Sequence, residues 1–387
     1  DITTGGRAAM TAATTVRDGQ VQSDFALDLT RLKAGRRSDD LQPVDIKLTG
    51  MVETGADKII GVATLSGDIG HITDRFEMPV KFEPVAWDPS TLPAVLEGEK
   101  DLVLPDFSLT ADGSIDLATL AGAVPALLQL RPGLTIQEGK LTLRDVRLSG
   151  GRQPAAQGGL EISQITGSRQ KPGEAATAPV IIEPLQADFQ AQLLPGRGLL
   201  IDRARLQSSF IEATAGGDAQ QLNTKFQADL QALESQLAML FDYEPQGLSG
   251  RFNGTTQFSR RDEGWQVQSE VTGVNLIWPA DKDKLEIVGL QLTQSGEIIL
   301  REHKAERYRL AEMVLNVEEA ARVQVSGDFS LAGDGLQAKT TLVHLDLQRL
   351  SQWLTAFSGE MTPLQGTLTF TADITQAPQT RVLTCLL

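Results

Sequence analysis

Apolar and polar residues alternate along most of this chain. In "ARVQVSGDFSLAGDGLQAKTTLVHLDL", Val323, Val325, Phe329 and Leu331 fall in one phase, with Gln324, Ser326, Asp328 and Ser330 in the other. Period-two patterning of this kind predicts strands with one apolar and one wet face. The "AGDG" at 332–335 reads as a hairpin turn, after which Leu336, Ala338 and Leu342 resume the alternation. "GKLTLRDVRLSG" alternates through Leu141 and Leu143, then changes phase so that Val146 and Leu148 continue it. One inserted residue in an alternating strand predicts a β-bulge. Phe252, Phe258, Trp265, Val267 and Val271 extend the pattern, as do "VDIKLTGMVE" and "IIGVATLSGDI" near the start. Strands this long, each with one polar face, predict antiparallel meanders and not a parallel sheet covered on both sides. Helices do not follow every strand, which excludes doubly wound and barrel α/β folds.

Three times the period changes. Leu230, Leu233, Leu237 and Leu240 step by three, four and three, the stripe of an amphipathic helix. The same steps recur in Leu117, Leu120, Val124 and Leu127, and in Leu347, Leu350, Leu354 and Phe357. Each run opens at an aspartate that ends an alternating strand, Asp116, Asp229 or Asp346, and each is followed by a glycine that opens the next strand. An aspartate there predicts a helix N-cap, since its carboxylate accepts from free amides at the positive end of the dipole. A shorter echo, "DLTRL" at Asp28, loses its stripe at Arg36 and Asp39 and reads as a degenerate copy capped in the same way. The near-constant spacing predicts a repeat array. Its parts are an N-terminal β segment with the degenerate repeat (1–110), a repeat at 111–225, another at 226–342, and the start of a further one at 343–387. Helices are expected near 116–130, 229–242 and 346–358, the first ended or kinked by Pro125. "GSRQKPGEAATAP" lacks any period and predicts a flexible loop at 167–179.

The apolar strand faces far exceed what three short helices can cover. A closed β-sandwich array would bury the surplus. The alternative is a long sheet curved into a groove, whose apolar face holds a non-protein ligand.

Composition narrows the partner. Lys and Arg number 35 against 50 Asp and Glu, a formal net charge of −15, which opposes binding to nucleic acid. The most basic stretch, "REHKAERYR" from Arg301, carries its own glutamates and reads as a solvated strand pair with its turn. Cys385 is the only cysteine, which excludes an intramolecular disulfide and a thiolate zinc cluster. His71, His303 and His344 lie far apart and have no ligand-spaced partners, so no metal and no cofactor are expected. No G-x-S-x-G, H-E-x-x-H or C-x-x-C occurs, and the reading is non-enzymatic. "NGT" at Asn253 is a formal glycosylation sequon, but its glycine suits a turn or bulge. The chain opens at Asp1 without a methionine, read as a processed form or a fragment, and holds no run of eighteen apolar residues.

A strand ending in Asp-Leu-x-x-Leu, a short helix, a Pro-Leu connection ("MTPLQG", "RPGLTI", "EPQGLSG"), then glycine and a new strand resembles the AsmA-like family. These are repeating β-groove, or bridge-like, lipid-transfer proteins of the bacterial envelope. The resemblance implies an apolar trough in the periplasm that shields acyl chains between inner and outer membranes. It further implies a phospholipid or other acyl-chain lipid as ligand, envelope proteins as further partners, and an inner-membrane anchor outside these residues. Groove-lining candidates are then Leu141, Leu143, Phe252, Phe258, Val323, Val325, Phe329, Leu368 and Phe370. A scaffolding β-repeat without a lipid is the alternative.

Overall fold

The computed structural model describes residues 2–17, 20–36, 42–81, 94–95, 98, 104–124, 133–170, 177–241, 244–261, 264–279, 284–301, 304–318, 320–330, 336–349, 351, 365–377 and 380–386. They form two compact units: residues 1–209 with 236–244, and residues 210–235 with 245–387.

The first unit contains β1 (Ile2–Arg17), β2 (Gln20–Arg36), β3 (Val44–Thr54), β4 (Lys58–Gly67), β5 (Gly70–Pro79) and β6 (Ser108–Asp116). Helix α1 (Leu117–Ala123) follows, then β7 (Leu134–Glu138), β8 (Lys140–Ser149), β9 (Ala155–Ile162), β10 (Ile165–Gln170), β11 (Thr177–Ile182), β12 (Leu185–Leu194) and β13 (Gly198–Gln207). The main sheet is an antiparallel meander in the order β1-β2-β3-β4-β5-β6-β8-β9-β12-β13. A small second sheet, β7-β10-β11, stands beside it. Leu117 of α1 packs with Ile136, Ile165, Val180 and Ile182 of this small sheet, and against Leu141 and Ile162 of the main one. The cover is local and lies at the end of the strands next to α1.

The main sheet of this unit is curved. Side by side in a flat sheet, β2 and β6 would lie about 19 Å apart. Helix α1 has seven residues and is about 10 Å long. It leaves β6 directly, yet at its far end Ala123 and Val124 pack with Val44, Ile69 and Leu32 of β2. Gly122 O also accepts from Gln42 N at 3.0 Å. The helix thus reaches back across the ends of β3, β4 and β5 toward β2, in keeping with a curled sheet.

The second unit contains β14 (Ile211–Asp218), β15 (Gln221–Asp229), the first part of α2 (Leu230–Leu240), β16 (Ser249–Arg261), β17 (Gly264–Pro279), β18 (Lys284–Arg301) and β19 (Lys304–Val317). It continues with β20 (Ala321–Ser330), β21 (Leu336–Asp346), helical residues 347–349, β22 (Thr367–Ala377) and β23 (Thr380–Leu386). Each strand pairs antiparallel with the next, from β14 to β23. Both units are thus open meanders. No second sheet closes the second unit into a sandwich among the described residues.

Helix insertion follows one local plan at three places. Asp116, Asp229 and Asp346 end β6, β15 and β21, and stand opposite Lys140, Arg251 and Thr367 on the following main-sheet strand. Their amides donate to Ile69, Phe210 and Ala320 O, each the residue just before the preceding strand, at 2.7, 2.9 and 2.8 Å. Their Oδ1 atoms accept from Thr119, Ala232 and Arg349 N, at 2.7, 3.0 and 2.8 Å. The helix is therefore an excursion between two strands that still pair. Gly250 (φ 112°) and Gly366 (φ 106°) re-enter the sheet with a backbone that disfavours any side chain. In chain order, six sheet strands lead to the junction at Asp116, β1–β6, and six lie between the junctions at Asp229 and Asp346, β16–β21.

Four expectations need correction. Asp28 does not cap a helix: it lies within β2, opposite Lys47, with Lys47 Nζ 3.9 Å from its carboxylate. The alternation of Phe25, Leu27 and Leu29 outweighs the helical echo there, and the positive φ of Arg31 (55°) is absorbed as a bulge. Most of the supposed loop at 167–179 is strand, since Ile165–Gln170 pairs with Thr177–Ile182 and only 171–176 lies outside the described residues. Asn253 is mid-strand between Gln227 and Thr272, not in a turn. The buried stripe of α2 runs through Glu234 and Ala238, whereas Leu237 is 40 % exposed. The bulge in "GKLTLRDVRLSG" is present, with φ 47° at Asp145, a register shift on both sides of β8, and Asp145 N donating to Asp112 Oδ1 at 2.6 Å. The first helix ends at Val124, just before Pro125. Residues 125–132, 352–364 and 331–335, where a turn was expected, lie outside the described residues, as does His303.

Candidate functional site

Residues opposite one another in an antiparallel ladder share a face, so the registers sort the side chains of each unit into rows. In the second unit, the row nearest the helix junctions is Ala228, Phe252, Gly273, Leu290, Val317 and Ala321. The next is Phe226, Gly254, Val271, Leu292, Leu315, Val323 and Val343. Two rows further on come Leu222, Phe258, Val267, Gly296, Leu310 and Gly327, then Arg260, Trp265, Ile298, Tyr308 and Phe329. Arg260 spreads its guanidinium over the Trp265 ring at 5.6 Å, so even this row presents mostly ring and aliphatic surface. On the other face, one row reads Gln227, Asn253, Thr272, Gln291, Asn316, Arg322, His344 and Thr369. The sheet has one apolar and one polar face.

The third row breaks the apolar face. Thr224, Thr256, Ser269 and Gln294 follow one another there before Met313 and Val325. Their polar atoms bond along the row: Thr256 Oγ1 lies 3.1 Å from Ser269 Oγ, which accepts from Gln294 Nε2 at 3.3 Å. A cavity of about 790 Å³ crosses the same strands, lined by Lys225, Thr255, Gln257, Gln268, Glu270 and other residues of the polar rows. Its chemistry is unsuited to an acyl chain.

The first unit repeats the design. Leu29, Ile46, Ile115, Leu141 and Ile162 belong to the row nearest the junction, and Leu27, Leu48, Leu65, Ile72, Leu143 and Leu160 to the next. The third row holds Phe25, Gly50, Ala63, Asp74 and Ala111. The fourth holds Val52, Gly61, Phe76, Leu109 and Leu148. Asp74 is the single charged side chain in these four rows, at the row that is polar in the second unit.

Phenylalanine rings reach over glycines of the neighbouring strand. Phe25 covers Gly50, Phe76 covers Gly61 and Phe226 covers Gly254, each too close for a Cβ to fit. A Cβ on Gly273 would stand 3.0 Å from Phe252 Cε1. Each ring fills the space that a side chain at the glycine would take. Among the described residues no large side chain is fully buried, in keeping with a single layer.

No protein-family model, curated protein or solved structure matches this chain.

The structure places Leu141 in the first row and Leu143 in the second row of the first unit's apolar face. Phe252, Phe258, Val323, Val325 and Phe329 lie on that of the second unit. Leu368 pairs with Leu345, itself opposite Ala321, and the backbone of Phe370 stands opposite Val343. Gln324 and Asp328 fall in the opposite phase, where Asp328 pairs with Arg309 at 3.6 Å. No cluster able to hold a metal occurs among the described residues, and no described helix is long and apolar enough to cross a membrane. His71 and His344 each contact a threonine, Thr73 at 3.0 Å and Thr369 at 3.2 Å.

Three features escaped the sequence reading. Asp74 had a visible signal, because in "GHITDRFEMP" it occupies the phase of Ile72, Phe76 and Met78. The hydroxyl row emerges only from register across several strands. Glu234 is 7 % exposed, and its carboxylate accepts from Gln246, Gly247 and Leu248 N at 2.6, 2.9 and 2.8 Å. That nest fixes the return from α2 to β16.

Proposed function

We propose that the apolar faces of the two units hold lipid acyl chains, without chemistry, as a lipid-binding or lipid-transfer groove of the bacterial cell envelope. The observation that supports this most directly is the set of apolar rows in the second unit, which run strand after strand with no second sheet over them among the described residues. Exposing acyl chains to water costs about 0.8 kcal/mol per CH₂. For a lipid with two ordinary chains this exceeds about 20 kcal/mol, so a surface covering the chains throughout removes most of the barrier to leaving a bilayer. The resemblance to AsmA-like proteins adds the setting: the periplasm, an inner-membrane anchor beyond these residues, and phospholipid as the natural occupant.

Photo-crosslinking groups at Val325, Phe329 and Phe258 test the reading. They should capture phospholipid from vesicles, while groups at Gln324 and Asp328 should not. Phe329→Asp puts a charge among the chains, and capture at Val325 should drop severalfold while the protein stays folded. Equal capture from both faces, or none from either, rejects the groove and leaves the scaffolding reading in its place.

A further inference from the structure

Asp74 stands in the middle of an otherwise apolar face. Its neighbours across the ladder are Ala63 on β4 and Ala111 on β6, both too small to shield it or pair with it. Along β5 the same phase holds Ile72 and Phe76, and the diagonal positions are Gly61, Leu65, Leu109 and Gly113. None of these groups titrates, and no charged residue occurs in the four rows around it. Oδ1 is buried and has no hydrogen-bond partner. Among the described residues the carboxylate makes no ion pair, caps no helix and fixes no turn.

We propose that Asp74 is a proton-operated gate for acyl chains on the first unit's apolar face: neutral, it lets a chain lie across the third row, and ionised, it keeps water there and turns the chain away. The inference rests on the lipid reading given above. The groups on β4 and β6 that face Asp74 carry no charge, so no neighbouring side-chain charge there sets its protonation. Burial already pushes the carboxyl above the ordinary carboxylate range, while a hydrogen bond from Arg75 N works in the other direction. A chain laid over it strips further water and raises it again. The occupied face therefore takes up a proton that the empty one has lost. Affinity is full below the value of the empty face and falls as pH rises toward that of the occupied face, by up to tenfold per pH unit for one linked proton. Above the second value it levels off, with the carboxylate ionised in both states.

The test uses the full chain with a benzophenone side chain at Leu48, one row away on β3, and a second protein carrying it at Phe258. The probe is vesicles of phosphatidylcholine, whose headgroup keeps its charge from about pH 5 to about pH 9. Capture at Leu48 should fall severalfold as pH rises through this range, and capture at Phe258, whose face holds no carboxylate near it, should stay level. Asp74→Asn should flatten the Leu48 profile at its acidic maximum, with folding checked by circular dichroism. An unchanged profile in Asp74→Asn, or equal profiles at Leu48 and Phe258, overturns the gate and leaves the lipid reading standing. Absence of capture at both sites and every pH overturns the lipid reading, and the gate with it.

Discussion

The ring of Phe226 lies across Gly254 on the neighbouring strand, occupying the space that a Cβ of residue 254 would need. Gly254→Val must displace the ring, and overpacking of this kind costs about 1–3 kcal/mol. Combined with Phe226→Ala the loss should shrink, because the side chain then has room. A denaturant double-mutant cycle checks the pair, and simple additivity would show that the two residues do not share this space.

Capping should be separable from ligand binding. Asp116→Ala, Asp229→Ala and Asp346→Ala each remove an acceptor for one free amide, at about 1 kcal/mol. Asparagine at the same positions should restore most of it. Urea unfolding reads the stability, and lipid capture at Phe258 should stay unchanged throughout.

Glu234 should matter more than any cap. Its carboxylate holds three amides in a site with little water, so Glu234→Ala should cost about 2–4 kcal/mol. Glu234→Gln keeps one good acceptor and should fall between. Hydrogen exchange at Gln246, Gly247 and Leu248 should speed up in both variants, most in Glu234→Ala.

On α2 the two neighbouring positions should behave oppositely. Leu237 is 40 % exposed, so Leu237→Asp should change stability by about 0.5 kcal/mol or less. Ala238 is 7 % exposed, and Ala238→Asp should cost more than about 2 kcal/mol. Thermal melts of the two variants decide this.

Asp74 should also leave a mark on stability. Its folded-state pKa is raised, so the folded protein binds this proton more tightly than the unfolded chain. The ionised group then weakens the fold above the folded value, and the penalty disappears as pH falls below the ordinary carboxylate range. Asp74→Asn should therefore stabilise at neutral pH and make no difference below about pH 4. A uniform effect across pH would contradict the linkage.

The strands and their faces were legible because period-two patterning is local: Val323, Val325 and Phe329 share a phase in any register. The caps were legible for the same reason, since Asp116, Asp229 and Asp346 each act within three residues. The pair β10–β11 was hidden by its short length and by the Lys-Pro-Gly-Glu-Ala-Ala run at 171–176, which carries no period. Leu237 was misjudged because helical spacing gives a stripe but not the direction of docking. At α2 that direction is set by three amides converging on Glu234. Asp74 broke an apolar phase in plain view, but only register shows that its cross-strand neighbours are alanines.

The recurring junction has a consequence for length. The block β16–β21 begins and ends at the same arrangement of capping aspartate, re-entry glycine and amide-to-carbonyl bond. Six paired strands measure about 29 Å across. A gene that gained or lost one such block would lengthen or shorten the sheet by that step while leaving every local bond at the seam intact, so reach can be set in whole increments like the rungs of an extending ladder.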